Sequence, residues 1–562
     1  MNCLIRASAL ALCAATLGQP TFAAQITLDS HGVALVDARG QVRQRLALRA
    51  KQIDTHVLGQ GAGAMLLAAV FDADTSQPVI ISAPAQDGGD MTWRIWPQPP
   101  QTSLALEALC LHADAQGLPH LFLLGEDGRA EQWLLRPQGS LLWRHWALPS
   151  GATACLADDR AQTLYVAEPA LGVWAYDIGA EGSHAREPVA LRRPWGTLGF
   201  APHRLQWSDQ RITWASKDGR QTAHAAARPG RPTAPLPVVM PRQQTEPVAR
   251  LGDAADDPAI WEHPARPADS RVLATNKKQG LLVYDLQGRQ RQLLESGRLN
   301  NVDLRQRIRI GTGWRDLAVA TQRDDRSIVL FDIDAEGAVT ELARLPSGLD
   351  DLYGICAARN RDEGLDVFAN DKDGRFVHLR VVARTSGDGA PTWAAERLRS
   401  FRLASQPEGC VVDEANERLF VGEEDRGIWA LSSRGDAPAQ PELVMAVGPL
   451  LKADVEGLAL YRGRHTTWLV ASSQGNDSYV VLDARPPYTP RGAFRIGIAA
   501  DAGIDGASET DGLDVTSAAL GERYARGMLV VQDGHKRLPD GPQNFKFVAW
   551  DDVMRALSLE DR

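Results

Sequence analysis

Glu408-Gly409-Cys410-Val411 is one of six short segments in the second half of the chain that share a pattern: a polar residue, a small or turn-capable residue, then an apolar run. The others are Asp257-Pro258-Ala259-Ile260, Asn301-Val302-Asp303-Leu304, Tyr353-Gly354-Ile355-Cys356, Glu456-Gly457-Leu458-Ala459 and Asp511-Gly512-Leu513-Asp514. In chain order they begin 44, 52, 55, 48 and 55 residues apart. A period of about 50 residues in strand-rich sequence predicts a β-propeller with one blade per repeat. If each segment opens a blade's innermost strand, the leading residues meet at one end of a central channel. Most of them are carboxylates. Like charges crowded in this way repel unless cations fill the ring, and hard oxygen donors suit calcium.

The sequence around these segments alternates short Val/Ile/Leu/aromatic runs with Gly, Asp and Asn turns, as in Gly280–Asp285, Ser327–Ile333 and Arg418–Gly422. Strand is the expected element throughout. The first half is a worn copy of the second. Leu164-Tyr-Val-Ala-Glu-Pro-Ala-Leu-Gly-Val-Trp174 parallels Leu419-Phe-Val-Gly-Glu-Glu-Asp-Arg-Gly-Ile-Trp429, and Leu123-Leu-Gly-Glu-Asp-Gly-Arg129 parallels Ala369-Asn-Asp-Lys-Asp-Gly-Arg375. About five blade-like units are readable there, and nothing in that half matches Asp256-Asp257-Pro258. The expected fold is all-β: a six-bladed propeller over 246–555, preceded over 25–227 by a degenerate, partial propeller. A proline-rich stretch, 228–245, is the expected linker.

Residues 1–24 read as a signal peptide, with Arg6 before an apolar run and Thr21-Phe22-Ala23 as a cleavage site. No later apolar run is long enough to span a bilayer. The net charge of −9 argues against nucleic acid as a partner. These features predict a secreted or periplasmic, monomeric protein. None of Cys110, Cys155, Cys356 and Cys410 has a zinc spacing. Their matching places in the two halves suggest duplicated disulfides, Cys110–Cys155 and Cys356–Cys410; four small buried hydrophobes is the equally open alternative.

Glu246-Pro-Val, Gly252-Asp-Ala-Ala-Asp-Asp-Pro-Ala-Ile-Trp261, Thr275-Asn-Lys-Lys-Gln-Gly-Leu281 and Gly297-Arg-Leu-Asn-Asn-Val-Asp303 closely resemble β-propeller phytases. So do Ser405-Gln-Pro-Glu-Gly409, Glu423-Glu-Asp425, Asp454-Val-Glu-Gly457, Ala471-Ser-Ser-Gln-Gly-Asn476, Glu509-Thr-Asp-Gly-Leu-Asp514, Gln532-Asp-Gly534 and Asn544-Phe-Lys546. The resemblance runs over 246–552, and the whole chain is similar to dual-domain members of that family. It implies calcium-dependent hydrolysis of phosphomonoesters on myo-inositol hexakisphosphate (phytate), bound as a calcium complex, by metal-activated water. Transferred position by position, the calcium ligands are Asp256, Asp257, Glu408, Glu423, Glu456, Asp511 and Asp514. Lys277, Arg323, Tyr353 and Lys372 match phosphate-contacting positions. Glu246, Asn300, Asn301 and Asp303 match positions near calcium. Glu408, Glu456, Glu423, Asp511, Tyr353 and Lys372 are the expected catalytic group. Two departures are visible: the family's N-R-S segment is Gln322-Arg323-Asp324, and Asp373 stands where Glu is common.

The chemistry is coherent without the family. Calcium neutralises a carboxylate ring that would otherwise repel a polyanion, and it offers open coordination positions to phosphate. Lys277, Arg323 and Lys372 each follow a strand-like run in successive blades, and Arg323 can bind phosphate bidentately. One such lysine or glutamate alone reads as solvated surface; a set in register reads as a site. No R-H-G-x-R-x-P segment, cysteine-phosphatase loop or G-x-S-x-G elbow occurs. A calcium-dependent lactonase of similar fold is the enzymatic alternative, but it has no need of the basic set. A noncatalytic calcium-stabilised binding propeller is the other. The first half is expected to pack on the catalytic half without activity of its own, because Lys372 aligns with Glu126, Glu408 with Thr153, Tyr353 with Glu107 and Glu456 with Leu198.

Overall fold

The computed structural model describes residues 24–85, 92–97, 99, 102–179, 185–208, 211–228, 236–385 and 391–560. The leader expected over 1–24 lies outside these apart from Ala24. The described residues form two compact units that divide near residue 230, with 141–144 and 178–179 grouped with the second.

The second unit contains six sheets, each an antiparallel meander whose first strand is innermost. The six first strands are Ala255–Trp261, Leu299–Ile310, Leu352–Arg359, Pro407–Asp413, Val455–Arg462 and Leu513–Thr516. Each packs against the next, and the last packs against the first, closing a six-bladed ring. The central strands are buried on both faces, so they read as continuous apolar runs; Ile328, Val329, Leu330 and Phe331 are an example. Packing is between blades: Leu317, Val319 and Leu330 of the second blade meet Ile355, Val367 and Val377 of the third. Each such side chain contributes about 1.5–3 kcal/mol on burial.

The stretch expected as a linker contains two strands of this unit. Val238–Val239 adds in parallel to Pro490–Ile496 of the fifth blade. Gln243–Gln244 pairs antiparallel with Asn544–Ala549 and completes the sixth blade. The beginning of the unit thus fastens its end. Lys546, fully buried, reinforces the join by bonding Gln244, Asp505 and Asn544 at 2.8–3.0 Å and pairing with Asp533 at 2.8 Å.

Five sheets make up the described part of the first unit, two of them three-stranded. It is a degenerate, partial propeller. Both cysteine pairs are disulfides, Cys110–Cys155 and Cys356–Cys410, each joining the first strands of consecutive blades.

Candidate functional site

One local device aims the site. In the first five blades the innermost strand carries a β-bulge at the same place, where two residues face one on the neighbouring strand. The bulged pairs are Asp256-Asp257, Asn300-Asn301, Tyr353-Gly354, Glu408-Gly409 and Glu456-Gly457. Asp511-Gly512 stands at the equivalent point just before the sixth first strand. Bulges of this kind redirect side chains beside functional sites. The structural register corrects the sequence frame in two blades: Asp256 and Asn300 lead, while Asp257 and Asn301 take the glycine position.

Close approach explains the glycines. A Cβ on Gly354 would lie 2.1 Å from the Glu408 carbonyl oxygen, and one on Gly409 would lie 2.3 Å from that of Glu456. On Gly512 it would lie 2.2 Å from the Asp257 carboxylate. Each bulge therefore rests against the next, and the leading side chains converge.

At the mouth of the channel, Glu408, Glu424 and Glu456 place carboxylate oxygens within 4.8 Å of one another. Asp256 is fully buried, and neither of its carboxylate oxygens has a partner; Oε2 of Glu456 is also buried and unpartnered. Burial, with Glu408 close by, pushes both Asp256 and Glu456 well above the ordinary carboxylate range. Burial, partly offset by Lys277, pushes Asp511 up to about 7. Burial likewise raises Glu424 to about 7. Oxygen donors at this spacing, with orphaned acceptors among them, fit a hard cation such as calcium, whose ligands sit about 2.3–2.6 Å from the ion.

The basic residues flank this mouth. Lys277 donates to Asp511 at 2.6 Å and to Asp253 at 2.9 Å. Burial alone would lower it, but Asp256 and Asp511 hold it well above the usual lysine value. Lys372 Nζ lies 4.3 Å from the Tyr353 ring centre, and the Arg323 guanidinium lies 5.7 Å from it. Arg323 also reaches Asn300 Oδ1 at 3.4 Å, while Asn300 donates to Glu408 at 3.0 Å. Burial and the neighbouring Glu408 and Glu456 raise the Tyr353 phenol, so it remains a hydroxyl. Asp373 pairs with Arg375 at 3.1 Å and Arg402 at 3.0 Å, bracing the turn that carries Lys372.

A second layer lies deeper. Asp257, Asn301, Asp303 and Asp514 line a cavity of about 60 Å3, together with Arg305 and Arg462. Asp257 accepts from the Val302 amide at 3.1 Å, Asp303 from Ala357 at 2.8 Å and Asp514 from Ile260 at 2.8 Å, so this layer is tied into the blades.

Two expected residues stand apart. Glu246 accepts from the Gln290 amide at the outer side of the first blade. Glu423 spends one oxygen on the Ser405 amide and hydroxyl, each at 2.7 Å, and the other on the Trp429 indole at 2.7 Å. The adjacent Glu424, which the resemblance does not assign as a ligand, is the one in the carboxylate cluster. A signal existed: Glu423 has a copy, Glu168, whereas Glu424 aligns with Pro169.

The fold is a closed six-bladed propeller, and its channel mouth combines clustered carboxylates with lysine and arginine, a charge pattern that would suit cations together with an anionic ligand. The Phytase family model matches residues 233–562. The chain is 36% identical over 327 residues to the 3-phytase of Bacillus subtilis (strain 168), spanning 56% of this chain and 84% of that protein. The solved β-propeller domain of Myceliophteria_thermophila Cps50 (Swd1) covers 71% of this chain and 96% of its own at 12% identity, with a TM-score of 0.32. This chain belongs to the β-propeller phytase family.

Proposed function

We propose that the second unit is a calcium-dependent phosphoric monoester hydrolase acting on phytate, of the 3-phytase type named for the Bacillus relative. The observation that carries this is the Glu408–Glu424–Glu456 cluster, with Glu408 and Glu456 buried and Glu424 half-buried, beside orphaned Asp256 and set among Lys277, Arg323 and Lys372. Glu408, Glu424, Glu456, Asp256 and Asp511 would hold calcium at the mouth, and Asp257, Asn301, Asp303 and Asp514 would hold a deeper ion. Bound calcium supplies charge neutralisation and Lewis acidity toward phosphate oxygens and water. Lys372 and Arg323 receive phosphate oxygens on the Tyr353 side; Lys277 does so on the Asp511 side. Tyr353, its phenol kept protonated, donates a hydrogen bond and sets the spacing of the two cations above its ring. The reading extends to an exported protein, secreted or periplasmic: two disulfides favour an oxidising compartment, and no helix among the described residues is long and apolar enough to cross a membrane. The first unit is read as noncatalytic.

Free phosphate released from phytate, measured with calcium, with a chelator and after calcium is restored, tests the proposal. Release that disappears and returns supports it. Calcium and phytate binding without release would identify a binding propeller instead.

A further inference from the structure

The penultimate residues of the second strands in the six blades are Thr275, Thr321, Asn370, Gly422, Ser472 and Gln532. Five are polar although buried. Four reach across to the next blade at the point where its first strand presents the site. Thr321 donates to the Tyr353 carbonyl at 2.6 Å and Asn370 to that of Glu408 at 3.1 Å. Ser472 donates to the Thr510 carbonyl at 2.7 Å and Gln532 to that of Ala255 at 3.4 Å. Asn370 also accepts from the Gly354 amide at 3.0 Å, and Gln532 from the Asp511 amide at 3.0 Å, so each grips two blades. Thr275 holds the Asp257 amide of its own blade at 3.0 Å. At Gly422 a side chain would lie 2.9 Å from the Val455 carbonyl, so the backbones themselves touch.

In the first unit the corresponding positions of four second strands are Phe71, Leu124, Ala167 and Trp214, all apolar and buried. Bulges persist there beside Lys51 and Glu107. The polar residues are therefore not needed to make a bulge. They accompany the carboxylate site.

We propose that Thr321, Asn370, Ser472 and Gln532 form a ring of positioning residues that fixes the bulges, and with them Tyr353, Glu408, Asp511 and Asp256, in the geometry that binds calcium and substrate. Neighbouring first strands share few backbone bonds, so these side chains set where each leading residue points relative to the next. Three of the four hold the backbone at or just before a proposed calcium ligand, Glu408, Asp511 or Asp256, and Thr321 holds that of Tyr353 on the phosphate side; losing such outer partners lowers metal affinity or activity by about 10–100-fold. The inference rests on the calcium-phytase reading of the site.

The test compares Thr321→Val and Ser472→Ala with Thr321→Ser, which keeps the hydroxyl, and with Ser270→Ala. Ser270 is equally buried and hydrogen-bonded, to Pro267 at 2.7 Å, but outside the ring. For each full-length variant, the measurements are kcat, KM, the calcium concentration giving half-maximal phosphate release, and the calcium dependence of the melting temperature without phytate. Ser472→Ala is expected to need about tenfold more calcium and to lose kcat, and Thr321→Val, which releases Tyr353, to lose kcat by about tenfold; Thr321→Ser and Ser270→Ala keep both. If the two ring variants match Ser270→Ala in every kinetic and calcium measurement, losing stability alone, the ring is structural and the proposal falls. If the wild type releases no phosphate from phytate, the activity reading fails, and the ring is decided by the melting titration alone.

Discussion

Trp429 donates its indole N–H to Glu423 at 2.7 Å, and Trp174 donates to Glu168 at the same distance in the matching turn of the first unit. Only the second unit has a carboxylate cluster among the described residues. A pairing present in both is thus a turn fastening, whereas Glu424 accompanies the site. Glu423→Gln is expected to cost about 1–3 kcal/mol of stability through weakened bonds to Ser405 and Trp429, with kcat retained. Glu424→Gln is expected to lower calcium-dependent phosphate release by about tenfold or more while melting normally. Parallel melting and phosphate-release assays check both, and the reverse outcome would restore Glu423 as the ligand.

Calcium acts at two depths if the mouth and the inner layer are both ion sites. An ion bound only by the native state stabilises it by about 2.7 kcal/mol at a hundredfold excess over its Kd. Chelation is therefore expected to lower the melting temperature and to abolish turnover, with turnover requiring the higher calcium concentration. Calorimetric melting and activity across one calcium series would show two separated midpoints; a single shared midpoint would contradict the two-layer assignment.

Lys372 lies over the Tyr353 ring, bonded to no carboxylate among the described residues, and so can take a phosphate oxygen. Lys372→Ala is expected to raise KM and lower kcat together, since phosphate contact is lost in both ground and transition states. Steady-state kinetics on phytate decide it; unchanged KM would remove Lys372 from the substrate contacts.

Truncation separates the closing strands from the first unit. A fragment of residues 246–562 lacks Val238–Val239 and Gln243–Gln244 and leaves the Asn544–Ala549 edge unpaired. It is expected to melt lower and to aggregate more readily than a fragment of residues 236–562. The full chain is expected to be the most stable of the three, and a fragment of residues 25–227 to release no phosphate. Melting scans and phosphate assays on the four proteins test this, and a 236–562 fragment equal to the full chain would remove the supporting role of the first unit.

The repeat of polar residue, small residue and strand made the propeller legible, because bulge and close approach impose residue types that survive in sequence. Glu408, Glu456 and Asp511 could be read in the same way. The one-residue frame error at Asp257 and Asn301 has a physical origin: where a side chain faces the inner layer, a polar residue replaces the glycine that marks the frame elsewhere. Glu424 was hidden because it lies on the turn after a second strand, outside the repeat. Gln243–Gln244 was hidden because two residues among prolines carry no strand period, and only their pairing with Asn544–Ala549 defines them.

That pairing joins parts of the chain about 300 residues apart, Gln244 bonding Asn544 across it. A polypeptide delivered from its amino end reaches the closing partner only after the strands of the other five blades have arrived. Completion of the ring therefore waits for Asn544–Ala549, and a chain cut short before that strand keeps an open seam instead of forming a smaller version of the same molecule.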